Sequence, residues 1–421
     1  MKKFLAIALC ALMVLALAAC TRPDKPNEGG DTFKNEPHDV ASLKIGVILV
    51  GDENEGYTYA HIEGFKAAMK ELGIQDNQVI WKYVIHENAE CYDTACQLVD
   101  DGCNIIFSNS YGHQSYMVQA AQEHPTVVFV PATGDTANVC KLANVINIFP
   151  YTYESRYVSG VVAGMKLKEL MDAGAVTDPY IGYVGAYPYA EVVSGYTAFF
   201  LGIRSIVPEA HMDVMYTSSW FDLNKENETA KALMARGCVI IGQHADSTGA
   251  PSAVQAAVDE GKVAYSVGYN VDMLKVAPTA ALTSAQNNWS VLYTKVLKAF
   301  IEGTEIAHDY TAGYNENGVM ISELGSSCAP GTAEKVEEVI AGIKAGTLHV
   351  FDTSTFTVNG EKLESHEFDF STMNADYSAV QYPGEKINVI TDGYFHESVY
   401  RSAPYFDLKI DGITELTDTN N

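Results

Sequence analysis

From Leu43 onward the chain alternates short apolar runs with longer amphipathic ones. "LKIGVILVG" (43–51) is almost wholly apolar, as a strand buried on both faces must be. "TYAHIEGFKAAMKELG" (58–73) follows, with apolar residues at helical spacing and a glycine to end the helix. Strand "VIWKYVI" (79–85), helix 90–101, strand "NIIFSN" (104–109), helix 113–123 and strand "TVVFVPA" (126–132) continue the series. Strands recurring between helices at this interval predict βαβ units, and hence a parallel sheet covered on both faces.

The pattern then restarts. Helix 154–171 leads to strand "YIGYVGA" (180–186), helix 190–206, strand "MDVMYTS" (212–218), helix 223–236, strand "CVIIGQH" (238–244), helix 251–260 and strand "VAYSVGY" (263–269). Gly160 and Gly164, four apart in the first of these helices, predict close packing against a neighbour. Two successive α/β sets predict an α/β fold of two doubly wound parallel-sheet lobes. Strand "AALTSAQ" (280–286) and helix 289–302 read as a return to the first lobe. "DYTAGY" (309–314), "NGVMIS" (317–322) and helix 332–345 read as a return to the second. The expected N-terminal lobe is therefore 43–149 plus 276–308, and the C-terminal lobe 150–275 plus 309–350, with three hinge crossings and a cleft between. From 351 the helical signal stops. Residues 351–421 are aromatic and β-prone, with turn signals at Asn359–Gly360, Asp392–Gly393 and Asp411–Gly412, so a strand-rich C-terminal extension is expected.

The first twenty residues have a different character. Lys2 and Lys3 precede an apolar run from Phe4 to Ala19, the layout of an export signal over 1–19. The run ends in "LAAC" (Leu17–Cys20), which resembles the lipobox of bacterial lipoproteins and implies cleavage before Cys20 and acylation of its sulfur. Residues 20–42 are polar and contain Pro and Gly, as a flexible tether would. The expected location is the outer face of a bacterial cell membrane, held there by lipid.

Charge narrows the partners. With 53 acidic against 27 basic residues the net charge is −26, which excludes nucleic acid, whose phosphates need a basic face. Beyond the signal the cysteines are Cys91, Cys96, Cys103, Cys140, Cys238 and Cys328. Cys91 and Cys96 are the nearest candidate pair, while Cys103 and Cys238 begin apolar strands and behave there as small hydrophobes. There is no CxxC and no histidine at zinc spacing, so mostly free thiols, no metal and no cofactor are expected.

In an open parallel sheet, ligands bind beyond the carboxyl ends of the strands. Those ends supply Tyr57, Tyr59, Ser110 and Tyr111 in the first set, and Glu191, Trp220, Phe221, His244, Asp246, Asn270 and Asp272 in the second. Trp289 follows the strand at 280–286. Such an aromatic, acidic inventory suits a flat, neutral, hydrogen-bonding molecule that stacks on rings. Each residue also has a purely structural reading. Trp220 and Phe221 would cover a helix start with Asp222 as its N-cap, Tyr57 and Tyr59 would be surface tyrosines, and Asp246 would cap a helix. Glu191 would complement a helix dipole. His244, Asp246 and Ser247 are neighbours on one loop, and a Ser–His–Asp relay needs its members on separate elements with an oxyanion hole. A binding protein is expected here, not an enzyme.

Seven stretches in order resemble one family: "GYTYAHIEGFKAAMKELG", "IIFSNSYG", "YESRYVSGVVAG", "IGYVGAYPYAEVVSGYTAFFLGIRSIVPEA", "TSSWFD", "GQHADS" and "GYNVDM". This is the basic membrane lipoprotein family of ABC transporter substrate-binding proteins, relatives of the purine nucleoside receptors. The resemblance implies a type I periplasmic-binding fold, a purine ligand in the cleft, and a membrane permease as partner, with the protein itself a monomer. Nucleoside-binding relatives carry an Asp-containing segment where this chain has "ENEGYTY", an aspartate where Asn270 stands, and a lysine after the counterparts of Thr283 and Ser284. Here "AQNNW" follows instead. Those positions help hold ribose, so the resemblance points to a free base, adenine first. A sensing receptor that engages a membrane signalling protein without uptake is the alternative.

Overall fold

The computed structural model describes residues 32–416; the export signal, Cys20 and most of the tether lie outside that range. Strands β1 (Ile45–Ile48), β2 (Val79–Lys82), β3 (Ile105–Ser108) and β4 (Val128–Pro131) form the first sheet. All pairings are parallel, in the order β2-β1-β3-β4. Helices α1 (Gly56–Leu72), α2 (Ala89–Asp100) and α3 (Gln114–Glu123) connect them. Every residue of β1, β3 and β4 is buried, which is why these runs carry no alternation. Helix α1 stops at Gly73, whose φ of 73° is the left-handed conformation that a glycine adopts without strain.

A short strand β5 (Asn147–Pro150) leads out of this lobe into α4 (Thr152–Asp172). There follow β6 (Tyr180–Gly185), α5 (Ala190–Arg204), β7 (His211–Tyr216), α6 (Leu223–Ala235), β8 (Ile240–His244), α7 (Gly249–Asp259), β9 (Tyr265–Tyr269) and β10 (Ala281–Asn287). The glycines of α4 have the packing role that their spacing predicts. A Cβ at Gly160 would lie 2.1 Å from the carbonyl oxygen of Phe199 in α5, and one at Gly164 would lie 2.9 Å from that of Ile203.

Helix α8 (Trp289–Glu302) returns to the first lobe, where Trp289, Tyr293 and Phe300 share a core with Ile45, Phe65 and Phe107. The chain then runs through β11 (Asp309–Ala312), β12 (Val319–Ile321) and α9 (Thr332–Lys344). The three crossings fall at 150–152, 287–289 and 312–319, and β11 pairs in parallel with β5 at the hinge. One expectation is corrected: strand 280–286 does not travel with the helix after it. It lies in the second sheet, in register with β9 from Ser266–Ala281 to Tyr269–Ala285, and the crossing comes after it. Likewise 309–312 stays at the hinge with β5, and the chain rejoins the second sheet only at β12.

The last strand, β13 (Ile413–Leu416), pairs in parallel with β7, completing a seven-stranded sheet ordered β12-β10-β9-β8-β6-β7-β13. Between α9 and β13 the extension folds into short hairpins, such as Glu367–Asp369 with Lys386–Asn388. Its rings join the second lobe's core: Phe351 stacks on Phe406 at 4.2 Å, and both belong to the cluster that holds Tyr183 and Phe199. Inside it, the buried Glu397 carboxylate accepts the N–H groups of Ser398, Tyr405 and Phe406 at 3.0, 2.8 and 2.7 Å. All of Cys91, Cys96, Cys103, Cys140, Cys238 and Cys328 are free thiols. No described helix is long and apolar enough to cross a membrane.

Candidate functional site

In both sheets the strand order reverses beside the first strand, between β1 and β3 and between β6 and β8. The crevice at such a switch point is where open α/β sheets bind ligands. In the first lobe the loops there are fixed from beneath. The Val50 N–H donates to Asn109 Oδ1 at 2.8 Å, and the Tyr57 hydroxyl donates to the Asn109 carbonyl. Glu55 accepts from the Thr58 hydroxyl within the first turn of α1. His61 stacks on Trp289 with ring centroids 3.9 Å apart, and Tyr57 meets His61 edge-on at 4.4 Å, so the buried tryptophan supports Tyr57 from behind. Ser110 donates to Glu87 Oε1 at 2.5 Å, and Tyr111 to Asp135 Oδ2 at 3.0 Å.

In the second lobe, β8 runs into His244 and then Asp246. The Asp246 N–H donates to the Trp220 carbonyl at 2.8 Å, tying two strand-end loops together. Its carboxylate accepts from Asn270 Nδ2 at 2.7 Å. Asn270 sits at φ 64°, a conformation that asparagine tolerates better than most residues. His244 Nε2 lies 3.3 Å from Glu191 Oε1, at the start of α5. Behind them the buried Arg156 of α4 lies over the Tyr269 ring, 3.6 Å from its centroid, and donates to the Gln243 carbonyl at 2.6 Å.

Between the lobes these groups line a pocket with about 450 Å³ of empty space, part of it open to solvent. Aromatic walls come from Tyr57, Tyr111, Trp220 and Tyr269, and carboxyls from Glu55, Glu191 and Asp246. No lysine or arginine is among its lining residues. Burial pushes the Glu191 carboxyl up to about 7, with Arg156 pulling the other way. Burial also holds Asp246 well above the usual carboxylate range. The charges of Glu55, Glu226 and Glu191 add to that, and the Asn270 hydrogen bond opposes it. Glu55 is raised by burial against the Thr58 hydrogen bond. Burial, then the Arg156 charge, pushes His244 well below its ordinary value, so its ring is neutral near pH 7. A site with carboxyls buried in this way favours ligands that bring N–H donors or positive charge to the carboxyls, and flat faces to the rings.

The structure places the expected residues unequally. Tyr57, Ser110, Tyr111, Glu191, Trp220, His244 and Asp246 line the cavity. Asn270 stands one bond behind, on Asp246, and Trp289 lies beneath Tyr57 through His61. Tyr59 and Phe221 are exposed and outside it, and Asp272 turns away to accept the Leu274 N–H at 2.8 Å. Asp222 is the N-cap of α6, accepting from the N–H groups of Asn224 and Lys225. Val50, Glu55, Thr133 and Tyr269 also line the cavity without having been singled out. The strand-end rule reaches Val50, Thr133 and Tyr269, each at or within two residues of the end of β1, β4 or β9, whereas Glu55 stands seven residues past β1, at the N-cap of α1. Among the described residues, no group of three or more His, Cys, Asp or Glu side chains is placed to hold a metal ion.

Two doubly wound lobes joined by three crossings, with a cavity where both strand orders reverse, define a periplasmic-binding-protein fold of type I. Over residues 43–349 the chain matches the family described as PnrA-like ABC transporter substrate-binding proteins, and it belongs to that family. A purine-binding protein of Brucella abortus (strain 2308) is 33% identical over 339 residues, 78% of this chain and 90% of its own. A Haloferax volcanii protein, named as a candidate ABC transporter glucose-binding protein, is 28% identical over 354 residues, 84% of this chain and 83% of its own. Among solved structures, a solute-binding protein of an Aeropyrum pernix K1 ABC transporter system superimposes with a TM-score of 0.62. It is 17% identical and covers 73% of this chain and 93% of its own. A transcriptional activator of the comK gene from Bacillus halodurans gives 0.57 at 20% identity, over 72% and 99%. These two likenesses concern the fold alone.

Proposed function

We propose that this ABC transporter substrate-binding protein captures a purine-type ligand outside the cytoplasmic membrane and delivers it to an importer, with the free base, adenine first, favoured over the nucleoside. The observation that carries this reading is the lining of the cavity: ring faces to sandwich a flat heterocycle, and buried carboxyls to accept its N–H groups. Glu191 and Asp246 from the second lobe and Glu55 from the first would accept such donors, while Trp220, Tyr57 and Tyr269 would face the ring. The preference for a base rests on residues 285–289, "AQNNW", which place no lysine near the cavity. The Brucella abortus relative supports the purine class; the Haloferax volcanii relative makes glucose the competitor to test.

Titration calorimetry on the protein with adenine, hypoxanthine, guanine, their nucleosides and D-glucose decides among these. A base binding most tightly is the expected result. Nucleosides binding more tightly than every base would overturn the preference for a base, and glucose binding without any purine would overturn the ligand class. Anchoring is a separate proposal, resting on "LAAC". Cys20→Ser should release the protein from the membrane fraction, and a variant that still fractionates with membranes would refute the lipid tether.

A further inference from the structure

Beside the ligand cavity lies a second chamber with about 530 Å³ of empty space, also partly open to solvent. Tyr111, Thr133 and Glu191 line both, so the two adjoin. The outer wall of the chamber is Tyr377, Arg401, Ala403 and Pro404, all from the extension and all beyond residue 349, where the family match ends. The charged groups in this wall are already occupied. Arg401 Nη1 lies 3.3 Å from Asp135 Oδ2, and both side chains are nearly inaccessible, at 10% and 7%. Arg401 Nε and Nη2 donate to the carbonyls of Ala403 and Pro404 at 3.2 and 3.3 Å. Asp135 also accepts from Tyr111, at 3.0 Å, and from Thr136, at 3.2 Å.

Apart from the Glu191 carboxyl, which it shares with the first cavity, what the chamber offers a guest is mainly apolar, and its aromatic lining continues that of the first cavity. Trp220 is 6.1 Å from Tyr189, and Tyr189 stacks on Tyr377 at 6.1 Å and 27°. Two residues lining the chamber hold left-handed backbone, Thr133 at φ 66° and Tyr377 at φ 59°. For a β-branched or bulky residue that conformation is costly, and strain of this kind concentrates at ligand clamps.

We infer that this chamber is a subsite for an uncharged, apolar or aromatic substituent on the ring held next door, so that the protein accepts purine bases enlarged by such a group. The inference rests on the purine reading of the first cavity. An aromatic lining that continues from Trp220 through Tyr189 to Tyr377 suits an apolar or aromatic guest, and the closed Asp135–Arg401 pair makes no demand for a charged one. Bare adenine would reach only the first cavity.

The test uses the full chain, with adenine and N6-benzyladenine as probes in calorimetry, on the wild type and on Tyr377→Ala. Tyr377 is 47% exposed, so its truncation leaves the fold in place. N6-benzyladenine should bind the wild type at least as tightly as adenine. Loss of one aromatic contact should weaken it by about two- to twelvefold in Tyr377→Ala, with adenine changed by less than about twofold. N6-benzyladenine binding more weakly than adenine to the wild type, or both probes weakening equally in the variant, overturns the subsite while leaving the purine reading intact. Failure of both probes to bind overturns the two together.

Discussion

Asp246→Asn separates a ligand-binding carboxylate from a structural one, because it should move affinity and stability in opposite directions. The substitution keeps the shape of the side chain, and the amide oxygen it introduces can still accept from Asn270 Nδ2, as the carboxylate does at 2.7 Å. What changes is the other carboxylate oxygen, which becomes an N–H donor facing the cavity. A ligand N–H that met an acceptor there is left unpaired, at a cost of about 1–3 kcal/mol. At about tenfold per 1.4 kcal/mol, the affinity for adenine should fall roughly five- to 150-fold. Stability should move the other way. Burial and the charges of Glu55, Glu226 and Glu191 hold the Asp246 carboxyl well above its ordinary range. A carboxyl raised in this way favours the fold only while protonated, and its contribution is lost as pH rises through its folded value. The neutral amide has no such loss, so the ligand-free variant should melt at a higher temperature than the wild type at pH 8, and the gain should shrink as pH falls. Calorimetry and a thermal melt on the same preparation read both quantities. Unchanged affinity would refute the binding role, and a lower melting temperature at pH 8 would refute the electrostatic argument.

Trp220→Ala should weaken adenine binding by more than the roughly 0.5–1.5 kcal/mol that a ring contact adds beyond burial, and a variant binding within twofold of the wild type would place the ring elsewhere. Arg401→Gln leaves the Asp135 carboxylate buried without its cation, an arrangement that costs about 3–5 kcal/mol when a buried pair is broken. Its melting temperature should fall, and Asp135→Asn in the same chain should restore part of the loss; no rescue would show that the pair does not matter. Burial pushes Glu191, Glu226 and Glu397 each up to about 7, so the folded state keeps protons that the unfolded state has released. Between pH 6.5 and 8 these three carboxyls should therefore lower the stability of the ligand-free protein by roughly 0.8 kcal/mol each, most of it below pH 7.5, while the histidines depressed by burial, half protonated at pH 6.5 when unfolded, recover part of that loss. Urea unfolding at the two pH values reads it, and a rise would refute the assignment.

The sequence made the two α/β sets legible because buried parallel strands are unbroken apolar runs, and few other elements are. It could not say which sheet a strand joins. Ala281–Asn287 looks the same in either lobe, and only its register with Tyr265–Tyr269 settles the matter. Ile413–Leu416 is harder still, since its partner β7 lies some two hundred residues earlier and no local pattern encodes that pairing. At the site, the strand-end rule found the residues on loops but not their direction. Tyr59 follows Tyr57 by two positions on α1, about 200° around a helix, so one faces the cavity and the other solvent. Asp272 lies in a polar stretch that served the backbone instead of the cleft. Arg156 sits in a largely buried helix of mixed composition, with nothing local to mark it. Its influence on Glu191 and His244 exists only because α4 packs against α5 and β10 and carries the guanidinium onto the Gln243 carbonyl and the Tyr269 ring.

The distribution of carboxyls bears on how the cleft works. Glu55 belongs to the first lobe, and Glu191 and Asp246 to the second, yet the Glu55 charge is the largest single charge raising the Asp246 carboxyl. Bringing the lobes together therefore brings like charges together where burial weakens their screening. Protonation relieves this only in part, and a molecule carrying several N–H donors relieves it directly by giving each carboxylate a partner. Such a ligand has greater affinity for the closed arrangement than for the open one, which is the condition for binding to drive closure. A sugar hydroxyl could serve one carboxylate as a donor, but it would leave the ring faces of Trp220 and Tyr57 without a flat partner. On the purine reading proposed above, closure would be coupled to a donor-rich flat ring through two independent terms, stacking and relief of charge, and a ligand that lacks either would close the lobes less completely.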